Sequence, residues 1–337
     1  MTPPIKKAIL PVAGWGTRFL PATKAAAKEM LPIVDKPLVQ FAVEEAVAAG
    51  ITDIIFVTSR AKRVIEDHFD PGDELDQLLQ VSGKHHLLAS LRPLFPPQVR
   101  YAYVRQPQAL GLGHAVLCAQ ALVGDEPFAV ILPDELMDAQ PCVLAQMLEH
   151  YGTRGSSIVA VEHVARQETD KYGIVALPRN AGRISPISGI VEKPSPSEAP
   201  SRMAVVGRYL LTPRIFDCLA ELAPGKHGEI QLTDAIAALS KREPVLAYPF
   251  AGRRFDCGSK LGYLAATIHY GLKHPEVGES FARLIIAARE DLVGSEAALA
   301  DEPASALDPG LARVQSATVI SAVSEDVSAT PHMTSAR

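Results

Sequence analysis

The chain has 337 residues, 47% of them hydrophobic and 21% charged, a globular composition that excludes wholesale disorder and fibrous repeats. Its formal net charge of -5 excludes a surface built throughout for nucleic acid, so any phosphate binding must be local. The scattered cysteines Cys118, Cys142, Cys218 and Cys257 fit neither a disulfide scaffold nor a thiolate zinc site; no apolar run nears the ~20 residues that span a bilayer and no signal-peptide pattern opens the chain, so a reducing, cytoplasmic setting away from membranes is expected.

Short β-type runs recur at Ala8 to Val12, Asp53 to Thr58, Val99 to Val104 and Phe128 to Leu132, with helical patterning between several of them. That alternation predicts an α/β fold with a largely parallel sheet flanked by helices. Between the first two runs, Pro37 to Ala49 carries apolar residues at Leu38, Val39, Ala42, Val43, Ala46 and Val47 and stops at Gly50, completing a first βαβ unit. Residues 61–97 read as an irregular helical excursion with a polar Lys84-His85-His86 cluster and a proline-rich exit at Pro93, Pro96 and Pro97. From Ser156 to Tyr209 strand signals dominate, with turn chemistry at Arg179 to Gly182 and at Pro194-Ser195-Pro196, before helices resume near Pro213 and Glu229, which predicts a mixed-sheet, β-rich second half. After Gly294 the chain is rich in Ala, Ser, Asp and Glu without a sustained period, so 295–337 reads as a flexible tail with no assigned chemistry.

The first strand runs into Pro11-Val12-Ala13-Gly14-Trp15-Gly16-Thr17-Arg18, a turn whose glycines let backbone amides approach a ligand. Phe19 stands where the third glycine of a dinucleotide fingerprint belongs, and the GK[ST] ending of a Walker A loop is missing. Alone, Gly14 and Gly16 read best as a tight βα turn. Arg18, Lys24 and Lys28 add the cations that a triphosphate needs, and with them the phosphate-cradle reading is favoured. Further on, Phe128 to Leu132 ends abruptly in Pro133-Asp134, putting a carboxylate at the C-terminal edge of a parallel sheet, where open α/β folds bind ligands. On its own such an Asp reads equally as a metal ligand or as a cap.

Leu10 to Lys24, followed by Lys28-Glu29-Met30-Leu31-Pro32 and Asp35-Lys36-Pro37-Leu38, closely resembles the bacterial UTP:glucose-1-phosphate uridylyltransferases. The resemblance continues in family order through Gly111 to Ala115, Val130 to Asp134, Val191 to Pro194, Val206 to Tyr209, Glu229 to Asp234 and Asp256-Cys257-Gly258 to Tyr263. It implies a Rossmann-like nucleotidyltransferase domain over 5–290, with a nucleotide-binding part at 5–135, a smaller β-rich sugar-phosphate-binding part at 155–260 and C-terminal helices at 258–292. Ala13, Gly14, Gly16, Thr17, Glu29, Gln106 and Gly111 would hold the nucleotide, with Arg18 and Lys28 on its phosphates as catalytic cations. Gly173, Glu192, Lys193 and Gly207 would meet the sugar phosphate, Lys193 also acting in catalysis, and Asp134 with Asp256 would hold Mg2+, which takes one or two carboxylates besides phosphates and waters. Read blandly, Glu192-Lys193 is an exposed ion pair at a strand end, and Gly173 and Gly207 read equally as bulges.

The implied reaction joins UTP to glucose 1-phosphate in a homodimer or homotetramer whose contacts run partly through helices near Leu261 to Ile286. Related thymidylyltransferases usually carry Lys-Gln, Gly-Leu-Ala-Gln and Leu-Gly-Asp where this chain has Lys28-Glu29, Gly111-Leu112-Gly113-His114 and Leu132-Pro133-Asp134, and all three differences favour uridylyl transfer. Another base or sugar on the same scaffold is the nearest alternative, and a non-catalytic sugar-nucleotide-binding regulator the next. The chain departs from the family at Ala26-Ala27 and at Trp15. Trp15 reads as a loop anchor; His85, His86, His114 and His227 read as structural.

Overall fold

The computed structural model describes residues 3–225 and 228–300. His227 and the 301–337 portion of the expected tail lie outside the described residues. The chain divides into two units, the first ending at Gly278 and the second beginning at Glu279. The described part of the second lies in the helix Gly278–Ala300, so regular structure runs past Gly294. Among the described residues no helix is long and apolar enough to cross a membrane.

In the first unit, strands β1 (Lys7–Pro11), β2 (Asp53–Thr58), β3 (Arg100–Arg105) and β4 (Phe128–Ile131) pair in parallel in the spatial order β4-β1-β2-β3. Helix α1 (Leu38–Ala48) makes the first crossover. The helical excursion is three short helices, α2 (Arg63–Phe69), α3 (Asp73–Val81) and α4 (His85–Leu91), and α5 (Gly111–Cys118) returns the chain to β4. After β4 come β5 (Glu135–Asp138) and helix α6 (Val143–Arg154).

The second half extends the same sheet. Strands β6 (Ser157–His163), β7 (Gly173–Ala176), β8 (Ser185–Pro186), β9 (Gly189–Glu192), β10 (Met203–Leu211) and β11 (Val245–Pro249) complete a ten-stranded sheet in the order β8-β11-β6-β10-β4-β1-β2-β3, with β7 joining β10 to β9. Strand β10 is antiparallel to β4 and β6, which makes the sheet mixed, as the sequence predicts.

Side chains alternate across the pleat, so each central strand feeds two cores. Ala8 and Leu10 of β1 join Val39, Val43 and Ala46 of α1 and Leu144 and Met147 of α6. Ile9 faces the other way, into a core shared with α5, α7 (Ile215–Glu221) and α8 (Leu232–Leu239). All nine residues of β10 are buried, as a strand covered on both faces must be. Between the pairs Val205↔Val161 and Tyr209↔Val159, β10 advances four residues while β6 advances two; the excess is even, so Val205 and Tyr209 still face the same core. The excess falls within Val206 to Arg208.

A separate two-stranded ladder pairs β5 with β12 (Arg253–Asp256), setting Asp256 opposite Glu135. Helix α9 (Lys260–Lys273) follows, its Ser259 cap accepting from Gly262 N. This ladder rests on a third small core of Leu38, Leu136, Phe255, Cys257 and Ala266.

Candidate active site

The C-terminal ends of β1 and β4 point to one edge of the sheet, and the loops that leave them carry the predicted chemistry. After β1, Val12 N donates to Val57 O (2.9 Å), and the loop then turns through Gly14 to Gly16. The Thr23 hydroxyl donates to Gly16 O (2.7 Å), bracing the turn from its far side. Ala13, Gly14, Gly16, Thr17, Lys28, Glu29, Gln106 and Gly111 all line one cavity of about 490 Å3. Gly173, Glu192, Lys193 and Gly207 line an adjoining cavity of about 820 Å3, together with Arg18, Asp134 and Asp256. Asp134 and Lys193 belong to both walls, so the predicted nucleotide, sugar and metal residues are gathered into one continuous cleft, whereas Lys24, grouped with Arg18 and Lys28 from the sequence, lines neither cavity.

Asp134 is placed by strand pairing. The β5–β12 ladder ends at Glu135 and Asp256, and Cys257 N donates to Asp134 O (2.8 Å), which draws the two aspartates together. The space that a side chain at Gly258 would fill is bounded by Asp256 Oδ1 at 3.0 Å, Asp134 Oδ2 at 3.3 Å and Arg18 Nη1 at 3.4 Å. Among the described residues no cluster of three or more His, Cys, Asp or Glu forms a protein-only metal cage. Both carboxylates also line the larger cavity, and two carboxylates beside an open cavity fit Mg2+, which draws its remaining ligands from phosphates and water.

Lys28 Nζ lies 2.6 Å from Asp134 Oδ2. Burial disfavours the Asp134 carboxylate, but Lys28 outweighs it and holds the pKa below the ordinary value. Burial likewise works against the Lys28 ammonium, and Asp134 and Glu29 overcome it, raising that pKa. Glu29 is 1% exposed. Its Oε2 accepts from Lys62 (2.7 Å), whereas its Oε1, also buried, has no hydrogen-bond partner; burial raises its pKa against the pull of Lys28 and Lys62.

On the sugar side, Glu192 Oε2 accepts from Thr233 Oγ1 (2.7 Å) and Glu192 Oε1 lies 3.1 Å from Lys193 Nζ. Lys193 has φ +44°, an uncommon conformation for a residue with a Cβ, fixed by its N–H donating to Tyr172 O (3.0 Å) and by Pro194 behind it. Gly207 has φ +61°, and a Cβ there would stand 2.5 Å from Glu135 Cβ. Only glycine fits that bulge, which presses β10 against the residue after Asp134.

Several residues of the cleft escaped sequence reasoning. Arg254 donates to Glu135 Oε2 (2.8 Å) and Glu162 Oε2 (2.5 Å) and reaches Tyr172 OH (3.3 Å), which donates to Asp256 Oδ2 (3.3 Å). Burial, opposed by Arg254, pushes Glu135 up to about 7. Thr233 and Gln231 lie within a motif that the sequence flagged, without a role being assigned to either. Below the cleft, Arg208 is 1% exposed; it pairs with Glu45 Oε2 (2.6 Å) and donates through Nη1 to Leu132 O (3.2 Å) and Glu135 O (2.8 Å), the carbonyls flanking Asp134. Trp15 corrects an expectation: it is 73% exposed and lines the cavity, so it does not anchor the loop by burial.

The model of the nucleotidyl transferase family matches residues 7–271. A UTP–glucose-1-phosphate uridylyltransferase of Pseudomonas aeruginosa is 50% identical over 265 residues, covering 78% of this chain and 95% of that protein. The chain belongs to the nucleotidyl transferase family, among the UTP–glucose-1-phosphate uridylyltransferases. The structure of a UDP-glucose pyrophosphorylase from Acinetobacter baumannii superposes with TM-score 0.78 at 48% identity, covering 84% of this chain and 99% of that one. A UDP-glucose pyrophosphorylase complexed with UDP-glucose superposes with TM-score 0.74 at 48% identity, covering 80% of this chain and all of its own. The family match ends two residues before the end of α9, so it spans both cavities and every residue assigned to the cleft.

Proposed function

We propose that the protein transfers the uridylyl group of UTP to glucose 1-phosphate, releasing UDP-glucose and pyrophosphate. The observation that carries this reading is the shared wall of the two cavities: Asp134 and Lys193 stand where a triphosphate on the first loop would meet a sugar phosphate. In the reaction an oxygen of the sugar phosphate attacks the α-phosphorus of UTP in line, and the bond to the β-phosphate oxygen breaks as pyrophosphate leaves. A phosphate monoester with a second pKa near ~6 is mostly dianionic at neutral pH, so no general base is needed.

The protein's task is to bring two anions together and to stabilise the charge that shifts between them. Residues 5–135 supply the nucleotide side. The loop amides at Gly14 to Thr17 suit phosphate oxygens, and Lys28 and Arg18 supply positive charge where pyrophosphate departs. The orphaned Glu29 Oε1 suits a ribose hydroxyl, because a buried acceptor without a donor is costly. Residues 155–260 supply the sugar side, where Glu192, steadied by Thr233, accepts from sugar hydroxyls and Lys193 meets the attacking phosphate. Asp134 and Asp256 would hold Mg2+, which when bound supplies a further positive charge against the phosphates. Lys28 already lies on Asp134, so the lysine and the carboxylate are organised before substrates arrive.

A homo-oligomer is part of the same reading. Leu261, Leu264, Ile268 and Leu272 of α9 are 79%, 56%, 42% and 43% exposed, an apolar stripe at helical spacing that suits burial against a second copy; light scattering in solution reads the state, and a monomer at all concentrations removes it. Four free cysteines among the described residues suit a reducing cytoplasm, which fractionation of cells tests directly. The activity itself is tested by pyrophosphate release with UTP, dTTP or CTP against glucose, galactose and mannose 1-phosphates. Preference for UTP with glucose 1-phosphate is the expected result. No release with any pair, despite binding of UDP-glucose, overturns catalysis in favour of a binding protein.

A further inference from the structure

Gln106 follows β3 with its N–H bonded to Thr58 O (2.9 Å) and stands between the nucleotide cavity and a neighbouring cavity of about 430 Å3 lined by Ala13, Trp15, Arg60 and Pro107. Its side-chain Nε2 lies 3.0 Å from Gly111 O and 3.0 Å from His114 Nδ1. A carbonyl only accepts, so the amide nitrogen must face Gly111, and both of its hydrogens are then committed. The second hydrogen requires a lone pair on His114 Nδ1. The histidine is therefore neutral with its proton on Nε2, which lies 3.8 Å from Cys118 Sγ. Burial pushes the Cys118 thiol pKa up, so the sulfur stays a neutral partner for that N–H.

One chain of hydrogen bonds thus runs from Cys118 through His114 to Gln106, and it leaves Gln106 Oε1 as the atom offered to the cavity. The chain rests on a rigid base. His114 and Cys118 lie one turn apart on the same face of α5. The start of α5 is clamped to the segment before α8 by Gly113 N donating to Ile230 O (2.8 Å) and by Ile230 N donating to Leu110 O (2.7 Å). A Cβ at Gly113 would stand 2.7 Å from Ile230 O, so this contact also requires a bare backbone.

We infer that His114 is a positioning residue for nucleobase selection: it locks the Gln106 amide so that Oε1 faces the pyrimidine and accepts from the N3–H of uracil. The inference rests on the uridylyl reading above and deepens it. Cytosine carries a lone pair at N3, so a fixed Oε1 opposes it, whereas an amide free to flip offers Nε2 and accommodates it. Without His114, Gln106 Nε2 loses one acceptor and the two amide orientations draw closer in energy. The loss falls on which base is held, not on the cations that act at the α-phosphorus.

The test compares wild type, His114→Leu and His114→Asn, with kcat and KM measured separately for UTP and CTP at saturating glucose 1-phosphate. Asparagine places Oδ1 where histidine has Nδ1 and restores the acceptor; leucine has a similar reach and none. The expected result is a fall of roughly tenfold in the UTP:CTP ratio of kcat/KM for His114→Leu, the size of one hydrogen bond. It should be carried mainly by KM for UTP, with most of the ratio recovered in His114→Asn. 3-Methyl-UTP, which lacks the N3–H, should be a poor substrate of wild type and should discriminate less in His114→Leu. An unchanged UTP:CTP ratio in a folded His114→Leu protein, or equal losses in both variants, overturns the positioning role. Failure of wild type itself to turn over UTP with glucose 1-phosphate instead overturns the function on which it rests.

Discussion

Lys28 Nζ and Asp134 Oδ2 lie 2.6 Å apart, so the lysine of the first loop and the aspartate at the end of β4 form an ion pair at the junction of both cavities. The pair is part-buried, with side chains 23% and 24% exposed, and sits where incoming phosphates would compete for the lysine. Substrate binding would release the carboxylate to its second role while the ammonium turns to the triphosphate. Lys28→Ala should lower kcat by about 100-fold or more, the scale of one lost group acting on developing charge. Steady-state kinetics at saturating substrates measures this, and a variant with near wild-type kcat removes Lys28 from the mechanism.

Glu29 differs in that its buried Oε1 has no hydrogen-bond donor, with Lys28 Nζ 4.0 Å away. Oε2 is held by Lys62, so a Glu29→Gln side chain keeps that bond through its carbonyl oxygen and turns an amide toward the nucleotide. Replacing a charged acceptor in this way should weaken UTP binding and narrow the preference for UTP over dUTP by about fivefold, since charge-assisted hydrogen bonds are roughly twice as strong as neutral ones. Competition between the two nucleotides reads the ratio; an unchanged ratio means Glu29 does not meet the ribose.

Arg208 and Glu45 act from beneath. Both are buried, and the guanidinium donates through Nη1 to the carbonyls of Leu132 and Glu135, so the ion pair fixes the backbone that carries Asp134. Arg208→Met leaves Glu45 as an uncompensated buried charge and should cost about 3–5 kcal/mol, while the double variant with Glu45→Gln recovers part of it. Urea unfolding of the four proteins of the cycle supplies the coupling. If the single and double variants are equally unstable, the pair is not the unit that holds the loop.

Much of this cleft was legible in the sequence because its chemistry sits on short loops directly after buried strands. The first loop with Lys28, the abrupt Pro133-Asp134 after an apolar run, and the strands β1, β2 and β4 could all be read locally. What could not be read depends on long-range pairing. Arg254, Glu135 and Tyr172 become one polar cluster only because β12 pairs with β5 beside β7, and no local spacing announces that. Arg208 lies within the Ser156 to Tyr209 stretch of strand signals, and its meaning comes from a bulge that local sequence does not reveal. The Trp15 expectation failed for a related reason: an aromatic residue suggests burial, yet a loop that leaves room for a ligand has no core to offer it.

Gly207 ties that bulge to the site. Its φ of +61° disfavours any side chain, and a Cβ would press to within 2.5 Å and 2.8 Å of Glu135 Cβ and Cγ, with backbone rather than a flexible tip holding those atoms in place. Leu132 N also donates to Gly207 O (2.8 Å), so relief of the clash must move the loop that presents Asp134. Gly207→Ala should therefore destabilise the protein by about 1–3 kcal/mol through strain and overpacking and lower kcat even at temperatures where the variant is fully folded. Thermal unfolding and kinetics on the same sample separate the two effects. A stable variant with normal kcat would mean that β10 can straighten without disturbing Asp134, and that the bulge serves packing alone.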